Sequence, residues 1–240
     1  MNCILIDISG VFEQEGFTGL QSIDLKGLEG TNCYCSPEAA SVIRDEIARI
    51  PLSTVCWIDT GDYHYLSYFR GCLVNEPFEL VLLDNHTDDF DDSECLSCGN
   101  WVRALKRDSK MAGQAGHDCN ARHDCDARHD CDARHDCDAR HDCDARHDCA
   151  RHPRPDRGSL PVFISIDLDV LSPNEFKTNW DQGKMSFDEL LETVRSIAST
   201  RRIAAIDICG GLTESKGATV EDLELNLSQR MRLLSLINTL

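Results

Sequence analysis

The sequence predicts an α/β fold with a mostly parallel sheet, arranged as a three-layer α/β/α sandwich. Short apolar runs of strand length alternate with amphipathic stretches of helical period along the chain. Such alternation is typical of a parallel sheet that carries helices on both faces. The length of 240 residues suits one domain with a sizeable core. We therefore expect a single domain over residues 1–240, interrupted by one low-complexity segment.

The charge balance narrows the range of partners. Forty-two acidic and 24 basic residues give a formal charge of −18, which argues against nucleic acid and against an anionic membrane surface. The longest apolar runs fall short of the roughly 18 residues of a membrane span, and the first residues read as a strand rather than a signal peptide. We expect a soluble cytoplasmic protein that acts on a small molecule, with its 14 cysteines reduced. The charge and composition are also compatible with a homo-oligomer.

The individual elements follow from local signals. Apolar runs predict strands at residues 3–8, 54–58, 80–83, 162–166 and 203–208, and the segment up to residue 32 reads as irregular. Helices are predicted at 37–50, from 101, at 187–198 and after Thr219. Ser36 is an N-cap, and Ser186 with Glu189 forms a capping box. The expected core faces are Ala40, Ile43, Ile47 and Ile50; Phe187, Leu190, Leu191, Val194 and Ile197; and Leu223, Leu227, Met231 and Leu234.

A hexapeptide repeat, His-Asp-Cys-Asp-Ala-Arg, occupies residues 117–152. It has no large aliphatic residue and cannot form a core, which favours a disordered insert. The alternative is a tract that binds soft metals through its histidines and cysteines. The insert stands where a further strand and helix of the sheet would be expected, so an overwritten unit would weaken the fold.

Two predicted strands end in candidate metal ligands. The run ELVLLDNHTD (79–88) ends in Asp84, His86 and Asp88, and VFISIDLD (162–169) ends in Asp167 and Asp169. Carboxylates with imidazole suit a hard-to-borderline divalent ion. Open α/β sheets bind ligands at the carboxyl ends of their strands, so the two stretches indicate one shared site. The alternative is that these side chains only cap strands and turns.

The same stretches resemble the ureohydrolase family of arginases, agmatinases and formiminoglutamases. DNHTD (84–88) and SIDLDVLSP (165–173) are similar to that family's D-A-H-T-D and S-x-D-x-D-x-x-D-P motifs. GDYHY (61–65) is similar to its G-D-H-S, with one extra residue before His64. GKMS (183–186), with Glu189, is similar to the stretch that opens a late helix. The resemblance spans about residues 54–211, apart from the repeat.

The resemblance implies an arginase-like fold with two Mn²⁺ per chain. One ion would be held by His64, Asp84, Asp88 and Asp167, and the second completed by His86 and Asp169, with Asp84 and Asp167 bridging. A metal-bridging hydroxide would then attack the trigonal carbon of a guanidino, amidino or formimino compound. The implied activity is hydrolysis of carbon–nitrogen bonds other than peptide bonds.

Departures from the family pattern affect catalysis more than metal binding. The candidate catalytic residues are Asp84, Cys98 and Asp207. Cys98 stands where agmatinase-like members have a proton-shuttling histidine, and cations beside it are expected to lower the pKa of its thiol. Ser172 replaces the third aspartate of the second motif, and Gly210 stands where guanidine-cleaving members have a glutamate. The expected substrate is therefore not arginine.

Two alternatives to an active hydrolase stay open: a catalytically impaired metal-binding protein of the same fold, and a non-functional variant disrupted by the repeat. Some residues also have two interpretations. His64 could be a surface or core histidine, and Asp207 could support the site or end a strand. Cys33 and Cys35 are interpreted as structural or active-site-loop residues. Residues 179–182 either line a substrate pocket or form an exposed loop.

Overall fold

A computed structural model describes residues 1–90, 95–118 and 160–240. Its main sheet has seven strands in the order β2-β1-β4-β9-β8-β5-β7, and each bonded pair is parallel. A second sheet pairs β3 with β6 in antiparallel fashion. The strands are β1 (Cys3–Asp7), β2 (Gln21–Asp24), β3 (Tyr34–Cys35), β4 (Val55–Ile58), β5 (Phe78–Asp84), β6 (Leu96–Ser97), β7 (Met111–Asp118), β8 (Val162–Asp167) and β9 (Ile203–Cys209).

Helices connect the strands across both faces of the sheet. They are α1 (Val11–Gln14), α2 (Pro37–Ile47), α3 (Leu66–Cys72), α4 (Trp101–Asp108), α5 (Phe187–Thr200) and α6 (Val220–Ile237). The Ser36 hydroxyl caps α2, and Ser186 with Glu189 forms the predicted capping box of α5. None of the helices in the described part of the chain is long and apolar enough to cross a membrane.

The hydrophobic core is divided in two by the sheet. Successive side chains of a strand point to opposite faces. On β8, Ile164 therefore packs into a cluster with α5 and α6, whereas Phe163 packs into a cluster with α2, α3 and α4. One apolar layer on each face confirms the predicted three-layer arrangement.

The repeat begins inside the sheet. Strand β7 pairs in parallel with β5 and includes His117 and Asp118, the first two residues of the predicted insert. Residues 119–152 lie outside the described residues, so the prediction that the repeat is disordered stays a prediction. A further strand, β7, which was not predicted, lies mostly before the repeat, and the sheet is paired out to that strand.

Two predictions near the amino terminus are wrong in detail. The segment before residue 32, expected to be irregular, contains α1 and the edge strand β2, whose side chains are largely exposed. Helix α2 ends at Ile47 rather than residue 50, and it buries Ala39 where Ala40 was expected. Exposed edge strands lack the apolar signal on which strand prediction depends.

The core face of α6 also differs from the prediction. Met231 is 52% exposed, whereas Asn226 and Arg230 are completely buried. The Arg230 guanidinium pairs with Glu15 and lies over a ring of aromatic side chains formed by Phe12, Phe17, Trp57 and Phe176. Because Glu15, from a distant part of the chain, pairs with Arg230, this polar face of α6 is buried more deeply than the predicted apolar one.

Arg230→Ala should lower the free energy of unfolding by about 3–5 kcal/mol, because it leaves the Glu15 carboxylate buried without its cation. Arg195→Ala, which removes an exposed arginine paired with Glu192 on α5, is the matched control and should cost no more than about 1 kcal/mol. Urea unfolding of both variants measures the difference. Equal losses would mean that the Glu15–Arg230 pair does not stabilise the packing of α6.

Candidate metal centre

The acidic side chains gather at the carboxyl edge of the central strands. Strands β5 and β8 are parallel neighbours, with Leu83 opposite Ile166, so their last residues, Asp84 and Asp167, end at the same edge. A 3-10 turn, Leu168–Val170, follows β8 and carries Asp169. Asp88 has a left-handed backbone with a φ of 48°, which asparagine and aspartate adopt more readily than most residues.

His64 is the centre of a first ligand group. Its Nδ1 lies 3.2 Å from Asp84 Oδ2, 3.1 Å from Asp88 Oδ2 and 3.5 Å from Asp167 Oδ2. All four side chains are buried. His64 comes from the turn after β4, so residues from three separate strand ends meet at one ring nitrogen. The extra Tyr63 does not move this histidine away from the site.

His86 forms a second group beside the first. Its Nδ1 lies 2.8 Å from Asp169 Oδ2 and 3.6 Å from Asp84 Oδ1. Asp84 therefore presents one oxygen to each group, which is the arrangement expected of a bridging carboxylate. Asp167 lies against the first group, and its predicted bridging role stays a prediction.

Hydrogen bonds from groups outside the site orient three of the ligands. His64 Nε2 bonds Ser165 Oγ at 2.8 Å, and an N–H at that position leaves the Nδ1 lone pair facing the carboxylates. Trp101 Nε1 donates to Asp88 Oδ2 at 2.6 Å, and Asn85 N donates to Asp169 Oδ1 at 3.0 Å. Ser165, Trp101 and the backbone of Asn85 are not ligands themselves, but they set the orientation of side chains that are.

The donor atoms fit a divalent cation. His64 Nδ1 and Asp84 Oδ2 are both buried, and neither makes a hydrogen bond within the described residues, although the two atoms are 3.2 Å apart. Two electron-pair donors that face each other without a hydrogen bond are satisfied by a shared cation. Oxygen and imidazole ligands favour ions such as Mn²⁺, Mg²⁺ or Zn²⁺ over thiophilic ones.

The pKa values show how strongly the site attracts positive charge. Burial, helped by repulsion from Asp169 and Asp84, raises the pKa of Asp167 well above its usual range. Burial likewise raises the pKa of Asp169 to about 6. Asp169 and Asp84 raise the pKa of His86 to about 11. Burial alone would lower the pKa of His64, but Asp84 and Asp88 outweigh it and leave that pKa well above 6.5.

A cavity of about 350 Å³ opens onto the ligands. Besides the ligands themselves it is lined by uncharged residues in the described part of the chain: Cys33, Tyr34, Gly61, Phe90, Ser97, Cys98, Gly99 and Trp180. Trp180 packs against Gly61, where a Cβ would lie 2.7 Å from its ring, and Phe90 packs against Gly99 in a similar way. The aromatic walls therefore depend on two glycines.

Cys98 lies in this cavity, as the resemblance implies, and the lowering of its thiol pKa by bound cations stays a prediction. Burial, with the nearby Cys33 and Asp88, raises the pKa of the Cys98 thiol above its ordinary value. The protein's own groups thus act against the lowering expected from bound cations.

Asp207 is not among the residues that line the described cavity. It lies within β9 and pairs with Arg70 Nε at 3.3 Å, and both side chains are completely buried. The Arg70 guanidinium also donates to the carbonyls of Ile50, Pro51, Leu52 and Thr54. The structure therefore gives Asp207 an anchoring position beneath the site, and the predicted catalytic role is not supported by its location.

Of the remaining candidate residues, some line the cavity and others hold the surrounding backbone in place. Within residues 179–182, Trp180 lines the cavity while Gln182 donates to the carbonyls of Leu171 and Phe176. Cys33 lines the cavity and Cys35 is buried elsewhere. Gly210 stands where the resemblance would place a glutamate. It has a φ of 109°, and a Cβ there would lie 2.9 Å from Asp167 Oδ1. A larger residue at that position would press on a metal ligand.

Sequence reasoning did not identify Ser165 and Trp101 as orienting residues. Ser165 is two residues before Asp167 on β8 and therefore lies on the same face of the sheet, which could have identified it. Trp101 opens a helix and has no local signal, because its bond to Asp88 joins separate turns.

Comparison with known proteins finds a relative in sequence and several in fold. No family model matches the sequence. A Thermotoga maritima protein described as uncharacterized is 28% identical over 209 residues, which cover 86% of this chain and 78% of that protein.

Solved structures show where the same fold occurs. Formimidoylglutamase from Bacillus subtilis superposes with a TM-score of 0.58 at 14% identity, covering 99% of this chain and 86% of that one. A hypothetical agmatinase from Burkholderia thailandensis gives 0.60 at 16%, covering 98% and 85%. Proclavaminate amidino hydrolase from Streptomyces clavuligerus gives 0.61 at 11%, covering 98% and 90%. These likenesses confirm the predicted arginase-like fold.

Ser165→Ala should weaken Mn²⁺ binding by about 10–100-fold, because His64 loses the bond that orients its ring. Ser97→Ala removes a hydroxyl from the same cavity without touching that bond and should leave the affinity unchanged. Competition with a metal-sensitive dye measures both. Unchanged affinity in Ser165→Ala would show that the His64–Ser165 bond does not orient a ligand.

Proposed function

We propose that this chain, which has the ureohydrolase fold, hydrolyses carbon–nitrogen bonds other than peptide bonds with the help of two divalent cations. The observation that carries the proposal is the pair of ligand groups that share Asp84 at the floor of a cavity. The fold neighbours formimidoylglutamase, agmatinase and proclavaminate amidino hydrolase support the same class of reaction.

The residues that would hold the ions are those the resemblance named. His64 and Asp88 would hold one, His86 and Asp169 would hold the other, and Asp84 and Asp167 would bridge the two. Four carboxylates and two neutral imidazoles balance two divalent charges, which suits Mn²⁺. When bound, two such ions lower the pKa of a shared water and supply hydroxide at neutral pH.

The chain's own side chains would position the substrate. Trp180, Phe90 and Tyr34 present flat apolar surfaces at the cavity, where they are 39%, 58% and 57% exposed. These walls favour a small molecule whose guanidino, amidino or formimino carbon reaches the metal ligands while an uncharged group stacks on the rings. The α-amino acid head of arginine finds no opposite charge among the described wall residues that are not ligands.

Cys98 would supply or return a proton beside the reacting carbon. In the absence of bound cations, burial raises the pKa of the thiol, which favours its protonated form. It can therefore donate to a leaving nitrogen more readily than it can accept a proton from water.

A catalytically impaired metal-binding protein is the second candidate, and the raised pKa of the Cys98 thiol favours it. A thiol whose pKa is raised is a poor shuttle, because a shuttle must take up and release protons near the working pH. The third interpretation, a fold disrupted by the repeat, is less consistent with a sheet that is paired out to β7.

Metal content and turnover measured together test the proposal. The protein should bind about two Mn²⁺ per chain and release ammonia, urea or formamide from members of a guanidino, amidino and formimino panel. Asp167→Ala should lose both ions and all turnover, whereas Asp169→Ala should lose mainly one ion. Glu192→Ala, an exposed change on α5, serves as the control.

The outcomes separate the candidates. Two bound ions without turnover on any compound would favour the binding protein. Full metal content in Asp167→Ala would contradict its bridging role. Failure to bind Mn²⁺ at all would contradict the proposal itself.

A further inference from the structure

We propose that Cys33 and Cys98 form a reversible disulfide across the β3–β6 ladder, at the wall of the metal-site cavity. The ladder pairs Tyr34 with Ser97 and Cys35 with Leu96. One step further along the same register places Cys33 opposite Cys98, and Cys98 N donates to Cys33 O at 2.9 Å. The regular ladder ends at Tyr34 and Ser97, but this backbone hydrogen bond keeps the two cysteines opposite each other.

The backbone spacing of such a pair suits a disulfide. Directly opposite, hydrogen-bonded residues of an antiparallel pair have Cα atoms about 5.5 Å apart. Disulfides join residues whose Cα atoms are about 4.4–6.8 Å apart. Bridging these two cysteines therefore requires side-chain rotation and little movement of the strands.

The two thiols also share one space. Both residues line the cavity, and each thiol influences the pKa of the other. Cys33 has a left-handed backbone with a φ of 60°, which breaks the regular alternation of the strand. This break separates its thiol from that of Cys35, which is buried and bonds the Ser36 carbonyl.

The reaction needs a small-molecule disulfide such as oxidised glutathione as the oxidant. A thiolate of the pair attacks the oxidant and displaces one glutathione thiolate, which takes up a proton. The second protein thiolate then attacks the mixed disulfide and releases the second glutathione. Two protein thiols lose two electrons and two protons, and one glutathione disulfide becomes two glutathione thiols.

Bridging changes the cavity chemically. The Cys33 thiol donates to Asp62 Oδ1 at 3.3 Å, and that donor is lost in the disulfide. Cys98 loses its proton at the same time. If Cys98 is the proton donor, as in the proposed function on which this consequence rests, oxidation would switch off turnover reversibly.

Burial sets the rate at which the bridge forms. It raises the pKa of Cys33 to about 11, with Asp62 adding to the rise and Cys98 and Lys216 opposing it. It also raises the pKa of Cys98, where Cys33, Asp88 and Asp62 add to the rise. Because the thiolate is the attacking species, oxidation should be slow at neutral pH and faster in alkaline buffer.

Peptide mapping of the whole protein tests the bridge. The protein is equilibrated at about pH 8.5 with graded ratios of reduced to oxidised glutathione, alkylated and digested with trypsin. The expected product joins residues 27–44 to residues 71–103 with the loss of two hydrogens, and dithiothreitol reverses it. Each repeat cysteine falls in a separate tryptic peptide, so the repeat does not obscure this product.

Matched variants assign the bridge to its two cysteines. Cys33→Ser and Cys98→Ser should each reduce the joined product at least about tenfold. Cys35→Ser, Cys72→Ser and Cys95→Ser each remove another cysteine of the same two peptides and should leave the yield unchanged. No joined product at any glutathione ratio, or a product lost only with Cys35, Cys72 or Cys95, overturns the proposal. Turnover is measured separately, so an inactive enzyme would leave the mapping result intact.

Discussion

The crowding of buried carboxylates around one histidine is the constraint on which the rest of the structure depends. Three carboxylate oxygens lie within 3.5 Å of His64 Nδ1, and all of these side chains are buried. Each ionised carboxylate costs several kcal/mol to bury without a compensating charge. The raised pKa of Asp167 shows this cost, since the group then tends to hold a proton. A divalent cation offsets the same cost and leaves every ligand ionised.

The parallel sheet brings these ligands together because it aligns strand ends that are distant in sequence. Asp84 and Asp167 are far apart along the chain, yet β5 and β8 are neighbours in the sheet. Two glycines then allow the close approaches at the edge: Gly61 admits Trp180, and Gly210 admits the Asp167 carboxylate. The ligands are thus positioned by backbone packing as well as by their own hydrogen bonds.

The parts that could be predicted have local signals in the sequence. Buried strands are visible in the sequence as apolar runs, and Ser186 with Glu189 marks the start of α5. Strand β2 lacked such a signal because it is an exposed edge. The face of α6 was mispredicted because Arg230 is stabilised by Glu15, whose position relative to the helix only the folded chain determines.

The site shows the same division between local and distant contacts. All six predicted ligands lie in the two groups or against them, since a strand end followed by alternate acids is a readable pattern. Asp207 also ends a strand, but Arg70 from α3 pairs with it, which agrees with the supporting role that the sequence left open. The bond from Trp101 to Asp88 and the opposition of Cys33 and Cys98 arise only when separate segments meet.

The most direct test of the central claim is an anomalous difference map of crystals grown with Mn²⁺, recorded near the manganese absorption edge. The account predicts two peaks about 3.5–4 Å apart, with Asp84 between them, His64 beside one and His86 beside the other. A single peak, or peaks away from these side chains, would contradict the claim that this sheet edge is a paired-metal centre.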